Sequence, residues 1–124
     1  MIKHGKAPYL ECSSHGDKRF SAFFAVVNGK SIEEQYQSAK IFSKDSVCHA
    51  NCSWRRKKGH AAINQPEIAE FYERLWRQYI QENPELLQVL LKAPGLSDKF
   101  GQPGHQCQAS VLWKIRNENH STSR

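Results

Sequence analysis

Apolar side chains recur at helical spacing through the second half of the chain, and this pattern predicts most of its elements. Pro66 begins a long helix that runs to about Gln81, with one wide apolar face. Asn83 caps a second helix over 86–92, and a final helix covers 106–116. Aromatic residues at this periodicity pack in a core far more often than they bind a cofactor. We therefore assign to the core Ile68, Phe71, Tyr72, Leu75, Trp76, Tyr79 and Ile80.

The first half of the chain predicts a strand, a tight turn and a short helix. Residues 20–27 are rich in aromatic and β-branched side chains and end at Asn28-Gly29, a dipeptide typical of tight turns. We expect a buried strand there. Ser31 then begins a helix that runs to about residue 42, with Glu34 placed to complete a capping box.

Loops are predicted for the rest of the chain. Residues 1–17 lack periodicity apart from a short extended piece at 8–12, and residues 96–105 are rich in glycine and proline. The chain has 124 residues, enough for one core and a modest cleft.

Together these elements predict a single compact domain of the α+β class, mainly helical with a small β element. We divide the chain into an N-terminal loop or extended segment (1–19), the domain itself (20–116) and a polar tail (117–124).

Charge adds an expectation about partners. The chain has 18 Lys and Arg against 12 Asp and Glu, a net charge of +6 that favours anionic ligands. Residues 46–66 contain no acidic side chain and include Trp54 followed by Arg55-Arg56-Lys57-Lys58. Two interpretations of this basic run stay open: a solvated turn or short helix, or a wall that faces phosphates.

Composition also limits the setting. No apolar run approaches the roughly 20 residues of a membrane helix, and the N-terminus lacks a signal-peptide pattern. Four cysteines are few for a disulfide scaffold. We expect a cytoplasmic protein that does not contact a membrane.

Metal and nucleotide motifs are weak. Cys48, Cys52, His105 and Cys107 are zinc-ligand types, but a Cys-x₃-Cys spacing without a second matching pair is not specific. The glycines after residue 94 match neither the Rossmann nor the P-loop spacing. We predict no metal site and no cofactor.

One polar stripe stands out on the helix after Ser31. Glu33, Gln37 and Lys40 follow at i, i+4 and i+7, so a carboxylate, an amide and an amine would share one helix face. Most such charges lie on solvated surfaces. The flanking aromatic segments 20–24 and 98–101 favour a cleft instead.

Six segments in order resemble motifs of the NADAR family. Ordered co-occurrence is more specific than any single match. The segments are Phe20-Ser21-Ala22-Phe23-Phe24, the run from Gly29 to Lys40, Lys57-Lys58-Gly59-His60, Asn83-Pro84-Glu85-Leu86, Asp98-Lys99-Phe100-Gly101 and Leu112-Trp113-Lys114-Ile115-Arg116.

This resemblance implies a mainly helical α+β fold and hydrolysis of N-glycosidic bonds to ribose. The implied substrates are ADP-ribose-linked or phosphorylated ribosyl-base molecules, including ADP-ribosylated guanine in nucleic acid. By position, the family's active-site Glu falls on Glu33, its helix Gln and Lys on Gln37 and Lys40, and its loop Asp on Asp98.

We hypothesise that Glu33 stabilises an oxocarbenium-like transition state or orients water, with Lys40 and Asp98 as the other catalytic residues. The predicted substrate-binding residues comprise aromatic, polar and cationic side chains near this stripe. They are Phe20, Ser21, Phe23, Tyr36, Gln37, Arg55, Phe100 and Gly101.

The chain departs from the family pattern at four positions. Ala22 replaces the family's Asn, Phe100 replaces its loop Trp, and Gln106 and Ala109 stand where a late Asn and Gly are expected. The alternative is therefore a non-catalytic, small basic protein that binds nucleic acid or an ADP-ribose-type nucleotide.

Overall fold

The computed structural model describes residues 1–49, 51–102 and 106–122. Five helices, five short strands and one turn of 3₁₀ helix occur within these ranges. They are β1 (Ile2–Gly5), β2 (Tyr9–Glu11), the 3₁₀ helix (Lys18–Phe20), β3 (Val26–Val27), β4 (Lys30–Ser31), α1 (Ile32–Ser38), α2 (Trp54–Lys57), α3 (Gln65–Glu82), α4 (Pro84–Lys92), β5 (Gly95–Asp98) and α5 (Gln108–Thr122). The predicted α+β class is confirmed.

The main sheet has the late strand β5 at its centre. It pairs antiparallel with β1, with Ile2 opposite Asp98, and parallel with β2, with Glu11 opposite Ser97. Every residue of β5 is buried. The loop predicted over 96–105 is therefore wrong for 96–98, because a four-residue strand buried on both faces shows no alternation. Residues 103–105 lie outside the described part of the chain.

The N-terminal segment belongs to the same sheet. We predicted an extended piece only at 8–12, where β2 is found, and missed β1. Because β1 and β2 flank the buried β5, the boundary placed at residue 19 does not separate two structural units.

The strand predicted over 20–27 is mostly wrong. The chain first forms a 3₁₀ helix capped by Asp17, whose Oδ1 accepts from the Arg19 amide at 3.1 Å. It then turns, with the Ala25 amide donating to Ser21 O at 2.8 Å. The aromatic and β-branched side chains here do not share one environment, because Phe20 and Val27 are buried whereas Phe23, Phe24 and Val26 are exposed. The turn at Asn28-Gly29 is confirmed, since both residues have positive φ (55° and 82°) between β3 and β4.

Helix α1 begins as predicted and ends early. Ser31 Oγ accepts from the Glu34 amide at 3.1 Å. The helix stops at Ser38 because Asn64 takes backbone groups that a longer helix would use. Its Nδ2 donates to Ala39 O at 3.0 Å, and its Oδ1 accepts from the Ile41 amide at 2.9 Å.

The hydrophobic core gathers around α3, as its periodicity predicted. Its buried side chains pack with α1, β3, α4 and α5. They are Ile68, Tyr72, Leu75, Trp76, Tyr79 and Ile80. Asn83 begins α4 without a side-chain cap and instead donates to Tyr79 O at 2.8 Å.

Helix α5 continues to Thr122, so most of the predicted polar tail is helical. A bidentate Arg77–Glu118 pair (2.8 and 3.1 Å) ties this extension to α3. No helix in the described ranges is long and apolar enough to cross a membrane.

The Glu11 carboxylate joins β2 to the end of β5. Oε1 accepts from Ser97 Oγ at 2.8 Å, while Oε2 accepts from the amides of Ser13 at 3.0 Å and Lys99 at 2.9 Å. Burial alone would raise the pKa of Glu11, but these hydrogen bonds outweigh it and lower the pKa. The ionised carboxylate therefore stabilises the folded state.

We expect Glu11→Gln to lower the free energy of unfolding at neutral pH by about 1–2 kcal/mol, because it weakens charge-assisted hydrogen bonds. The folded-state pKa is below the ordinary 4.5, so the stabilisation is present above that value and is lost as pH falls through the lower folded pKa. The gap between wild type and variant should thus narrow in acid. Urea titrations across this range measure it, with the exposed Glu67→Gln as control. A gap independent of pH would contradict the assignment.

Candidate functional site

A cavity of about 430 Å³ opens where α1, α3, the end of β5 and the start of α5 meet; we call it the inner cavity. Six of the predicted site residues line it, so the structure brings together segments far apart in the chain. They are Phe23, Glu33, Tyr36, Gln37, Asp98 and Phe100.

Glu33 and Gln37 form one wall from successive turns of α1. Glu33 is only 8% exposed, and its Oε1 accepts from Gln37 Nε2 at 2.9 Å. The opposite amide atom, Gln37 Oε1, is buried and lacks a hydrogen-bond partner among the described residues. A buried acceptor without a partner is costly, and a ligand donor in the cavity would relieve that cost.

Asp98 forms the facing wall at the end of β5, with 2% of its surface exposed. Oδ1 accepts from the Phe100 amide at 3.0 Å, and Oδ2 accepts from Gln108 Nε2 at 3.0 Å. Gln108 Oε1 in turn accepts from the Ala22 amide at 2.8 Å. The cavity therefore holds two buried carboxylates, each oriented by a glutamine.

Aromatic rings complete the inner cavity. Tyr36 and Tyr72 meet edge to face with ring centroids 4.9 Å apart, while Phe23 and Phe100 are exposed at the rim. Burial raises the pKa of Tyr72 well above its ordinary value, so its hydroxyl stays protonated at neutral pH. Such rings suit a ligand with a planar base or a sugar face.

Lys40 lies outside the lining of the inner cavity. Because α1 ends at Ser38, Lys40 does not continue the Glu33–Gln37 stripe, and it is absent from the lining of the inner cavity. Its buried Nζ donates to Lys57 O at 3.1 Å and to His60 O at 2.8 Å. Burial lowers the pKa of Lys40, opposed by the nearby Glu33 charge. These two bonds hold the last residue of α2 and the residues just after it. A catalytic role for Lys40 stays a prediction.

Three other predicted binding residues are buried and lie outside the cavity lining. Phe20 is fully buried in the core, and Ser21 is buried beside it. Gly101 is also buried, and a Cβ there would come 2.8 Å from Ile2 Cγ1. None of the three lines the inner cavity.

The basic run forms the short helix α2 and its C-terminal neighbours. Ser53 Oγ caps it, and Lys57 is buried, whereas Arg55 and Lys58 are exposed. Arg55 and Lys58 line a second cavity of about 730 Å³, which we call the outer cavity, and Lys58 also lines the inner one. The short-helix interpretation is confirmed; the phosphate-wall interpretation stays a prediction.

Sequence reasoning missed Gln108, Tyr72 and Ser14, which also line the inner cavity. The apolar face of α3 assigns Tyr72 to the core, and only its polar hydroxyl group could have suggested a place in the cavity lining. Gln108 could have been found from the sequence, because it lies near the start of a predicted helix and only 10 residues after Asp98.

No group of three or more His, Cys, Asp or Glu side chains lies together as a metal site in the ranges that the structure describes. His105, one of the zinc-ligand candidates, is outside those ranges. Comparisons of the chain with family models, with curated proteins and with solved structures found no match.

We expect Gln108→Met to lower the free energy of unfolding by about 1–3 kcal/mol, because it leaves the Ala22 amide and Asp98 Oδ2 without their partner. Urea denaturation at neutral pH measures the loss. The matched control is Gln88→Met on the exposed face of α4, which should change stability by less than about 0.5 kcal/mol. Equal effects of the two changes would show that the bridge does not stabilise the fold.

The four cysteines are free and differ in environment. The His49 amide donates to Cys52 Sγ at 3.4 Å; this bond, with Cys48 and the charges of Arg56 and Lys57, lowers the pKa of Cys52. Burial, with nearby Asp98 and Glu11, raises the pKa of Cys12.

Iodoacetamide at neutral pH should therefore label Cys52 at least about tenfold faster than Cys12, because the thiolate is the reactive form. Peptide mass spectrometry over a time course measures the two rates. Unfolded protein is the control, since both thiols should then react alike. Faster labelling of Cys12 in the folded protein would contradict the assigned environments.

Proposed function

We propose that this protein hydrolyses N-glycosidic bonds to ribose in ADP-ribose-linked or phosphorylated ribosyl-base substrates. The observation behind the proposal is the pair of buried carboxylates, Glu33 and Asp98, that line one cavity of ligand size. Buried carboxylates are costly unless hydrogen bonds satisfy them, and here each accepts from a glutamine.

The chemistry requires a carboxylate beside the sugar. When the bond between C1′ and the base nitrogen breaks, its electron pair leaves with the base and positive charge develops on the ribose ring. Glu33 stabilises that charge. Gln37 fixes the orientation of the Glu33 carboxylate by donating from Nε2 to Glu33 Oε1. Water then adds to C1′ and loses its proton to the carboxylate, while solvent protonates the base.

The other residues position the sugar. Asp98 retains acceptor capacity beyond its two present hydrogen bonds, so it accepts from ribose hydroxyls. The unpartnered Gln37 Oε1 accepts from another hydroxyl. Tyr36 and Phe100 pack against the base or sugar face. Lys40 holds the segment on which Lys58 lies.

A second candidate is a protein that binds such a nucleotide without cleaving it. Ala22 favours it, because this position provides only a backbone amide, and that amide is already bound to Gln108. The candidate predicts equal ligand binding with and without the Glu33 carboxylate, and no product.

Glu33→Gln tests the proposal. The variant keeps an acceptor for Gln37 but loses the charge, so base release should fall by about 10²–10³-fold, as for loss of a main transition-state contact. Chromatography measures free base or ADP-ribose from an ADP-ribosylated guanine oligonucleotide and from ribosyl-base 5′-phosphates.

The control is Glu85→Gln, which also removes a first-turn helix carboxylate but lies on the exposed face of α4. It should keep wild-type activity. Full activity of Glu33→Gln would remove Glu33 from the mechanism. Ligand binding by wild type without any product would favour the second candidate.

A further inference from the structure

A thiol in the lining of the inner cavity begins a short chain of hydrogen bonds. Cys107 Sγ lies 3.3 Å from the hydroxyl oxygen of Ser110, in the first turn of α5. Ser110 Oγ in turn lies 3.1 Å from Nε2 of His4 on β1. Three side chains that can each pass on a proton therefore connect the inner cavity with a strand at the edge of the sheet. We call these three side chains the relay.

The outer end of the relay, His4, is held in one orientation and remains open to solvent. Its imidazole stacks on Trp113, with ring centroids 6.0 Å apart and an interplanar angle of 14°. Stacking fixes the plane of the ring and so the direction of its bond to Ser110. His4 is only half-buried, and because Nε2 faces Ser110, Nδ1 is the nitrogen left to exchange protons with water.

The inner end of the relay lies beside a surface assigned to the ligand. Gly101 packs against the thiol, since a Cβ at Gly101 would come 3.2 Å from Cys107 Sγ. The residue before Gly101 is Phe100, whose ring lines the inner cavity and packs against the base or sugar in the proposed function. Cys107 is therefore close to the place where a departing base would need a proton.

Two other groups in the lining are poorer proton donors. Both carboxylate oxygens of Asp98 already accept hydrogen bonds, so Asp98 acts as an acceptor. Burial raises the pKa of Tyr72 well above its ordinary value, which makes its hydroxyl a weak acid. A thiol in ordinary surroundings keeps its proton at neutral pH, and cysteine is among the side chains that serve as general acids.

We propose that Cys107 is the general acid that protonates the departing base and that Ser110 and His4 resupply its proton from solvent. The catalytic part of this proposal rests on the function proposed above. As the bond between C1′ and the base nitrogen breaks, its electron pair goes to the base, and the base takes the Cys107 proton. The thiolate takes the proton of the Ser110 hydroxyl, and Ser110 takes that of His4 Nε2. His4 gains a proton from solvent at Nδ1, and its return to the Nε2–H form through solvent resets the relay.

Two nucleotides that differ only in the leaving base test the acid. Guanine must gain a proton as it departs from guanosine 5′-phosphate, whereas 7-methylguanine departs from the 7-methyl derivative as a neutral base. Cys107→Ala should therefore lower kcat for guanosine 5′-phosphate by about 10²-fold and for the 7-methyl derivative by less than about threefold. Chromatography of the released base measures both rates.

The matched control is Cys52→Ala, which removes a thiol that lines neither the inner nor the outer cavity. It should keep wild-type rates on both nucleotides. An equal loss on the two nucleotides in Cys107→Ala would show a structural role and overturn the proposal. Full activity of Cys107→Ala on guanosine 5′-phosphate would overturn it as well.

A further pair of variants tests the relay through Ser110. A hydroxyl that donates to the thiolate stabilises it, so Ser110→Ala should slow iodoacetamide labelling of Cys107 at neutral pH by about tenfold. Ser110→Thr keeps the hydroxyl and should label like wild type. Peptide mass spectrometry measures the rate without any substrate, and Cys52 in the same samples is the internal control.

His4→Gln tests the outer end. Glutamine keeps a donor near Ser110 but cannot take up a proton on one side and release one on the other. The variant should therefore lower kcat for guanosine 5′-phosphate by about tenfold or more and leave the 7-methyl derivative almost unchanged. Equal rates of His4→Gln and wild type on guanosine 5′-phosphate would remove His4 from the relay.

The two kinds of assay separate this proposal from the proposed function. Hydrolysis that depends on Glu33 but not on Cys107 would overturn the acid alone. If wild type hydrolyses neither nucleotide nor the ADP-ribosylated oligonucleotide, the N-glycosidase function is overturned, and with it the role of Cys107 as an acid. Unchanged labelling of Cys107 in Ser110→Ala would overturn the relay whatever the activity.

Discussion

One side chain, that of Gln108, joins the parts on which the site depends. Its amide donates to Asp98 at the end of β5 and accepts from Ala22 in the turn before β3, so a single hydrogen-bonding group connects the start of α5, the sheet and the first aromatic segment. The Glu33 amide also donates to Ala22 O at 2.9 Å, which links the same turn to α1. The relative positions of the two carboxylates follow from this connected set of bonds.

The carboxylates are buried at low cost because other elements supply their partners. Gln37 on α1 donates to Glu33, and Glu11 holds the residues on both sides of Asp98 by accepting from the Ser97 hydroxyl and the Lys99 amide. Lys30 and Arg55 line the outer cavity, and Lys58 lines both cavities.

Sequence reasoning succeeded where a local rule decides the structure. The apolar face of α3, the Asn28-Gly29 turn and the Ser31 cap follow from residues close together in the chain. It failed where a distant residue decides: Asn64 ends α1, and pairing on both sides makes 95–98 a strand. The candidate site shows the same division. Glu33 and Gln37 share one helix, whereas their proximity to Gln108 depends on long-range packing.

The hydrogen bonds of Lys40 also reduce the conformational entropy that the protein would lose when it binds a ligand. Its ammonium holds the carbonyls of Lys57 and His60, so the backbone around Lys58 is fixed before any anion arrives. Ordering a loop and its side chains on binding costs conformational entropy, which subtracts directly from affinity. A segment already hydrogen-bonded to Lys40 avoids most of that cost. Lys40 would therefore strengthen anion binding at Lys58 without touching the anion.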